Sequence, residues 1–121
     1  LYPTIEKRHY ESVVEGMRAA VTGGTCRRLS LMIPDLEACG KTGTAQNKGH
    51  DHSAFLGFAP MNNPKIAIVV YVENGGWGGD YGVPIGALMM EQYLKGKLSP
   101  NNEIVAEEFS NKVIFYGNEE R

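Results

Sequence analysis

Lys41, Thr42, Gly43 and Thr44 occupy four consecutive positions inside Gly40-Lys41-Thr42-Gly43-Thr44-Ala45-Gln46. The set combines a compact cation, two hydroxyls and a residue with no side chain. A lysine ammonium stabilises anions and favours proton movement away from a nearby nucleophile. Thr42 and Thr44 can donate hydrogen bonds to a carboxylate. Gly43 lets an extended ligand approach the backbone, and on an edge strand the free N–H and C=O groups pair with such a ligand. The Thr44 N–H is a candidate oxyanion donor, a role worth about 2.7–4 kcal/mol per donor. A lone Lys-Thr-Gly also arises by chance on solvated strands, so its surroundings must decide.

Those surroundings read as helix, three strands, helix. Residues 5–22 carry Val13, Val14, Met17, Ala20 and Val21 at helical spacing, and Gly23-Gly24 ends the run. Cys26 to Met32 fits a short helical turn, and Ile33-Pro34-Asp35 a loop. Glu37–Asn47, Ser53–Pro60 and Lys65–Glu73 read as strands, the last two joined as an antiparallel hairpin. The β-branched run of Lys65–Glu73 predicts burial on both faces. Asn74 to Tyr81 is a glycine-rich loop holding Trp77. Pro84 opens a helix to about Lys95, with Ile85, Leu88, Met89, Gln92 and Tyr93 at helical spacing. The predicted class is α+β, a three-stranded antiparallel sheet flanked by helices over residues 1–98. Residues 99–121 form a polar tail, with Asn102 as a candidate cap of a short helix and Val113–Tyr116 as an extended piece.

The 121 residues suit one domain, with 42% hydrophobic and 21% charged residues, an ordinary globular composition. A net charge of −2 gives no nucleic-acid footprint. No apolar run approaches the roughly 20 residues of a membrane span. Leu1-Tyr2-Pro3 reads like the interior of a longer polypeptide. Cys26 and Cys39 lack a metal-ligand spacing and read as unpaired thiols. His50-Asp51-His52 offers two imidazoles without an obvious third ligand, so a structural role for His52 is the better reading.

Three segments together resemble the C-terminal part of a penicillin-binding transpeptidase: Gly40–Asn47, His52–Pro60 and Val70–Gly76. Val14-Glu15-Gly16-Met17 and Gly23-Gly24-Thr25-Cys26 are similar to the same family, nearest its class B penicillin-binding protein 2 group. The resemblance spans roughly residues 8–97. A Lys-Thr-Gly element accompanies Ser-x-x-Lys and Ser-Asp-Asn in that family. The resemblance implies a serine acyl transferase that cross-links peptidoglycan stem peptides and is stalled by β-lactams, with no cofactor. It implies that Lys41 assists proton movement, that Thr42 and Thr44 hold the substrate carboxylate, that the Thr44 N–H forms half of an oxyanion hole, and that Gly43 admits the ligand.

None of Ser12, Ser30, Ser53, Ser99 or Ser110 is followed three residues later by lysine, and Ser110-Asn111-Lys112 has the wrong spacing for Ser-x-Asn. The chain is therefore expected to lack both partner elements and to be inactive alone. The remainder of the transpeptidase domain is the expected partner. In the family the Lys65–Glu73 strand is interior, so self-association along that strand, or coverage by the tail, is expected here. The resemblance implies a parent anchored by an N-terminal helix at the periplasmic face of a bacterial inner membrane. A β-lactam sensor and a non-catalytic cell-wall interaction module remain as alternatives, separable by the parent's upstream sequence.

Overall fold

The computed structural model describes residues 3–114. Seven elements follow in order: α1 (Lys7–Gly23), α2 (Arg27–Met32), β1 (Cys39–Ala45), β2 (His52–Ala59), β3 (Ile66–Val72), α3 (Gly82–Lys95) and α4 (Pro100–Ser110). The strands form an antiparallel sheet in the order β1-β2-β3, as the predicted hairpin requires.

Strand alternation sorts the sheet into two faces. Register pairs Thr42 with Phe55 and Phe55 with Val70, so these lie on one face with Thr44, Ser53, Gly57, Ile68 and Val72. The α3 helix packs on this face against β2 and β3. The core there joins Phe55, Val70, Val83, Ala87 and Met90 with Leu29 of α2 and Val21 of α1. Phe55 decides which side of α3 turns inward. Its ring fills a slot beside Gly86, where an added Cβ would meet it at 2.5 Å. The buried stripe is therefore Val83, Gly86, Ala87, Met90 and Glu91. Of the apolar residues read from helical spacing, Met89 and Tyr93 are exposed.

The second face carries Lys41, Leu56, Val69 and Tyr71. The expectation that β3 is buried on both faces fails here: Val69 is 75% and Tyr71 55% exposed, while Val70 between them is buried. A β-branched run sets strand propensity, but coverage depends on helices, and α3 covers only one side. The α1 helix lies against this second face at its β1 end, where Arg18 donates to the Ala38 carbonyl at 2.8 Å. Neither β1 nor β3 has a second strand neighbour among the described residues.

The tail contains a docked helix, α4, preceded by Ser99. Asn102 lies inside α4 and does not cap it. Its side-chain amide donates to the Met32 carbonyl (2.8 Å) and to Glu91 Oε1 (2.9 Å). Glu91 is 2% exposed and also accepts the Ser99 N–H at 2.7 Å. The Asn102 amide thus ties α4 to α2 and, through the buried Glu91 carboxylate, to α3. Asn102→Ala removes the amide from the buried Glu91 carboxylate and the partly buried Met32 carbonyl and is expected to cost about 1–3 kcal/mol. Chemical denaturation of the variant beside the parent checks this, and an unchanged midpoint would contradict it. Val113 and Ile114 have no regular structure. Phe115 and Tyr116 of the expected extended piece lie outside the described residues.

Candidate functional site

The edge strand β1 holds the four singled-out residues. Alternation separates them: Thr42 and Thr44 face the α3 side, and Lys41 and Gly43 the other. Thr42 is only 8% exposed, whereas Lys41, Gly43 and Thr44 are open to solvent. Lys41 bends back along its own strand, its Nζ donating to the Thr42 carbonyl at 2.7 Å. It borders an open depression of about 490 Å³ with Val13, Gly16, Met17 and Leu56. The two hydroxyls thus leave β1 on one face of the sheet and the lysine on the other, with its Nζ returning to the Thr42 carbonyl.

Two turns frame this strand. Gly78, in the loop before α3, lies so close that an added Cβ would sit 2.5 Å from the Ala54 oxygen and 2.8 Å from the Gly43 oxygen. Ser53 fastens that loop: its Oγ donates to the Trp77 carbonyl (3.1 Å) and accepts the Gly82 N–H (3.1 Å). Trp77 itself is 56% exposed. On the other side, the turn between α1 and α2 brings Thr25 to Thr42, Oγ1 to Oγ1 at 2.8 Å. Neither Ser53 nor Thr25 was singled out from sequence. Both stand in segments that carry the family resemblance, but nothing in the sequence gives either a hydrogen-bonding role until the fold joins them to segments far away in the chain.

Cys26 lies next to Thr25 and is buried and unpaired, as is Cys39. Burial pushes the Cys26 thiol above its ordinary pKa, opposed by a hydrogen bond with Thr25, the Lys41 charge and the Thr42 backbone. Burial likewise raises Cys39, with the Arg18 charge pulling it down and Glu37 pushing it up. Both thiols are therefore held protonated at neutral pH and read as packing groups. His52 sits at the start of β2, where its Nδ1 accepts the Asn74 N–H at 3.0 Å and its ring packs on Tyr71 at 5.4 Å. No group of three metal-ligating side chains gathers among the described residues.

A Ser-x-Asn spacing does occur, at Ser99-Pro100-Asn101, which corrects the expectation that the chain lacks one. Ser99 follows the C-terminal end of α3 and hands its N–H to Glu91. The Gly78 loop beside β1 precedes the opposite end of α3. Ser99 is thus committed to docking α4 and stands apart from Lys41.

Residues 3–91 match the penicillin-binding protein transpeptidase domain model. The chain belongs to that family. Within it, the similarity runs to the class B penicillin-binding protein 2 group. The peptidoglycan D,D-transpeptidase MrdA of Haemophilus influenzae is 30% identical over 119 residues, covering 81% of this chain and 18% of that protein. The MrdA of Acinetobacter baumannii is 38% identical over 81 residues, covering 54% of this chain and 12% of its own. The crystal structure of Pseudomonas aeruginosa PBP2 in complex with WCK 5153 superposes with a TM-score of 0.70 at 37% identity, covering 83% of this chain and 23% of that one. The chain therefore spans less than a quarter of the length of these relatives.

Proposed function

We propose that this chain forms the C-terminal portion of the transpeptidase domain of a peptidoglycan D,D-transpeptidase, and that β1 is its substrate-docking strand. The observation that carries this reading is the edge position of β1, with Thr42 and Thr44 on one side and Lys41 on the other. In the proposed reaction, a serine outside these 121 residues attacks the carbonyl between the two D-alanines of a stem peptide. The C–N bond breaks, the terminal D-alanine leaves as its amine with the serine proton, and a serine ester remains. An amine of a second stem peptide then attacks the ester, the serine regains a proton, and the cross-link forms.

In this scheme the Thr42 and Thr44 hydroxyls hold the terminal carboxylate and Lys41 supplies positive charge beside it. The Thr44 N–H donates to the oxyanion, and Gly43 leaves room for the extended ligand. β-Lactams enter by the same contacts. No cofactor takes part, the missing partner is the rest of the transpeptidase domain, and the reaction runs on the periplasmic side of the inner membrane.

Labelling with a fluorescent penicillin tests the assignment. The 121-residue chain alone is expected to stay unlabelled, and a polypeptide joining it to a Ser-x-x-Lys segment from its own parent to be labelled covalently. Lys41→Ala in that polypeptide is expected to reduce labelling by about 10²-fold or more, the scale of losing one preorganised electrostatic contact. Covalent labelling of the isolated chain would overturn the claim that the nucleophile lies elsewhere. Unchanged labelling after Lys41→Ala would remove β1 from the site.

A further inference from the structure

Thr25 lies outside the Gly40–Gln46 segment, seventeen residues before Thr42. The chain reaches it from α1, on the Lys41 side of β1, and leaves it into α2, on the α3 side. The Gly24–Cys26 turn is therefore the passage around the outer edge of β1. Two backbone bonds set it, from the Gly24 N–H and the Cys26 N–H, both to the Ala20 carbonyl (3.1 and 3.0 Å). Cys26 is fully buried beneath it, while Thr25 remains exposed at the rim. A Cβ on Gly79 would stand 3.5 Å from the Thr25 carbonyl, so the loop before α3 closes over the same turn.

A threonine hydroxyl has one proton and two lone pairs. The Thr42 hydroxyl, nearly buried, lies 2.8 Å from Thr25 Oγ1, where either group can give its proton to the other. To hold a carboxylate, Thr42 must donate its proton to the ligand. Its oxygen then needs a donor, and the hydroxyl at 2.8 Å is Thr25. Because Thr25 is exposed, it can turn its own proton inward and leave its lone pairs to water. We infer that Thr25 is a positioning residue: its hydroxyl donates to Thr42 Oγ1 and so leaves the Thr42 proton for an anionic ligand. This inference rests on the reading of β1 as the carboxylate-binding strand.

The test uses the transpeptidase polypeptide that contains this chain and its nucleophile, in five forms: parent, Thr25→Val, Thr25→Ala, Thr25→Ser and Thr42→Val. The rate of covalent acylation is measured with benzylpenicillin and with its methyl ester, which lacks the carboxylate. Thr25→Val is expected to slow benzylpenicillin about three- to tenfold, the weight of one hydrogen bond, and to leave the ester unchanged, while Thr25→Ser returns the rate to within about twofold of parent. Thr25→Ala, which removes the hydroxyl without adding a methyl, is expected to give the same loss and so excludes a disturbance of the turn by valine. A loss shared equally by acid and ester would show a merely structural role and overturn the inference. If Thr42→Val separates acid from ester and both Thr25→Val and Thr25→Ala behave as parent, Thr25 has no part and the carboxylate reading stands. If Thr42→Val also fails to separate them, the carboxylate reading falls and this inference falls with it.

Discussion

Phe55→Ala is expected to cost about 3–5 kcal/mol of folding stability, the range for deleting a buried aromatic ring. Phe55 is 1% exposed and sits where β1, β2 and α3 converge. Its ring is walled by glycines: a Cβ on Gly40, Gly57 or Gly86 would approach it to 2.5, 2.6 and 2.5 Å. Those walls are backbone, held by the sheet ladder and the helix, and cannot collapse into the space the ring leaves. The loss should therefore fall toward the upper end of the range. Phe55→Leu refills part of the slot and should cost less. Urea unfolding of the three proteins side by side measures both, and a loss under about 1 kcal/mol for Phe55→Ala would contradict the account.

Gly78→Ala is the second large effect, and it should damage the site more than the fold. The new methyl would sit 2.5 Å from the Ala54 oxygen and 2.8 Å from the Gly43 oxygen, both main-chain atoms of the sheet. Nothing flexible stands there to give way, so the loop must lift. Overpacking of this kind costs about 1–3 kcal/mol. Lifting also breaks the Ser53 bonds to Trp77 and Gly82 and shifts the wall beside Thr42 and Gly43. A displacement near 1 Å can cost about 10²-fold in rate, so under the proposed function β-lactam acylation of a polypeptide joining this chain to its Ser-x-x-Lys segment should fall by about that factor. Gly79→Ala is the control, because its Cβ meets nothing nearer than 3.5 Å. Equal acylation rates for the two variants would show that the loop does not bear on β1.

Much of this was legible in the residues. The positions of the three strands, the two-glycine stop after α1 and the Pro84 start of α3 follow from local propensity, and the observed elements fall within a few residues of those expectations. The Lys-Thr-Gly-Thr run is common enough to arise by chance, and it points to β1 only together with the His52–Pro60 and Val70–Gly76 segments that resemble the same family. What local pattern did not carry is which surface another element covers. Val69 and Tyr71 look like core by composition, yet lie on the face that α3 leaves open. Helical spacing puts Met89 in the apolar stripe, yet the Phe55 slot turns its neighbour Met90 inward and leaves Met89 exposed. Asn102 has the chemistry of a helix cap, but a buried glutamate eleven residues earlier uses it instead. Thr25 gains its role through Thr42, 17 residues away, and Ser53 through Trp77 and Gly82, 24 and 29 residues away.

The two-sided layout of β1 has a consequence for how this segment can change over time. Each side chain's face is set by its parity along the strand, so substitutions act on one group at a time and leave the rest aimed as before. Loss or gain of a single residue within β1 is different in kind. It would carry Lys41 to the α3 side and both threonines to the open side at once, with every residue type still present. A two-residue change would restore the faces but slide the set along β2. The segment is thus tolerant of spelling and intolerant of counting. Variation in natural relatives of this chain should then collect in the turn at Lys48-Gly49-His50, where added length does not alter the parity of β1.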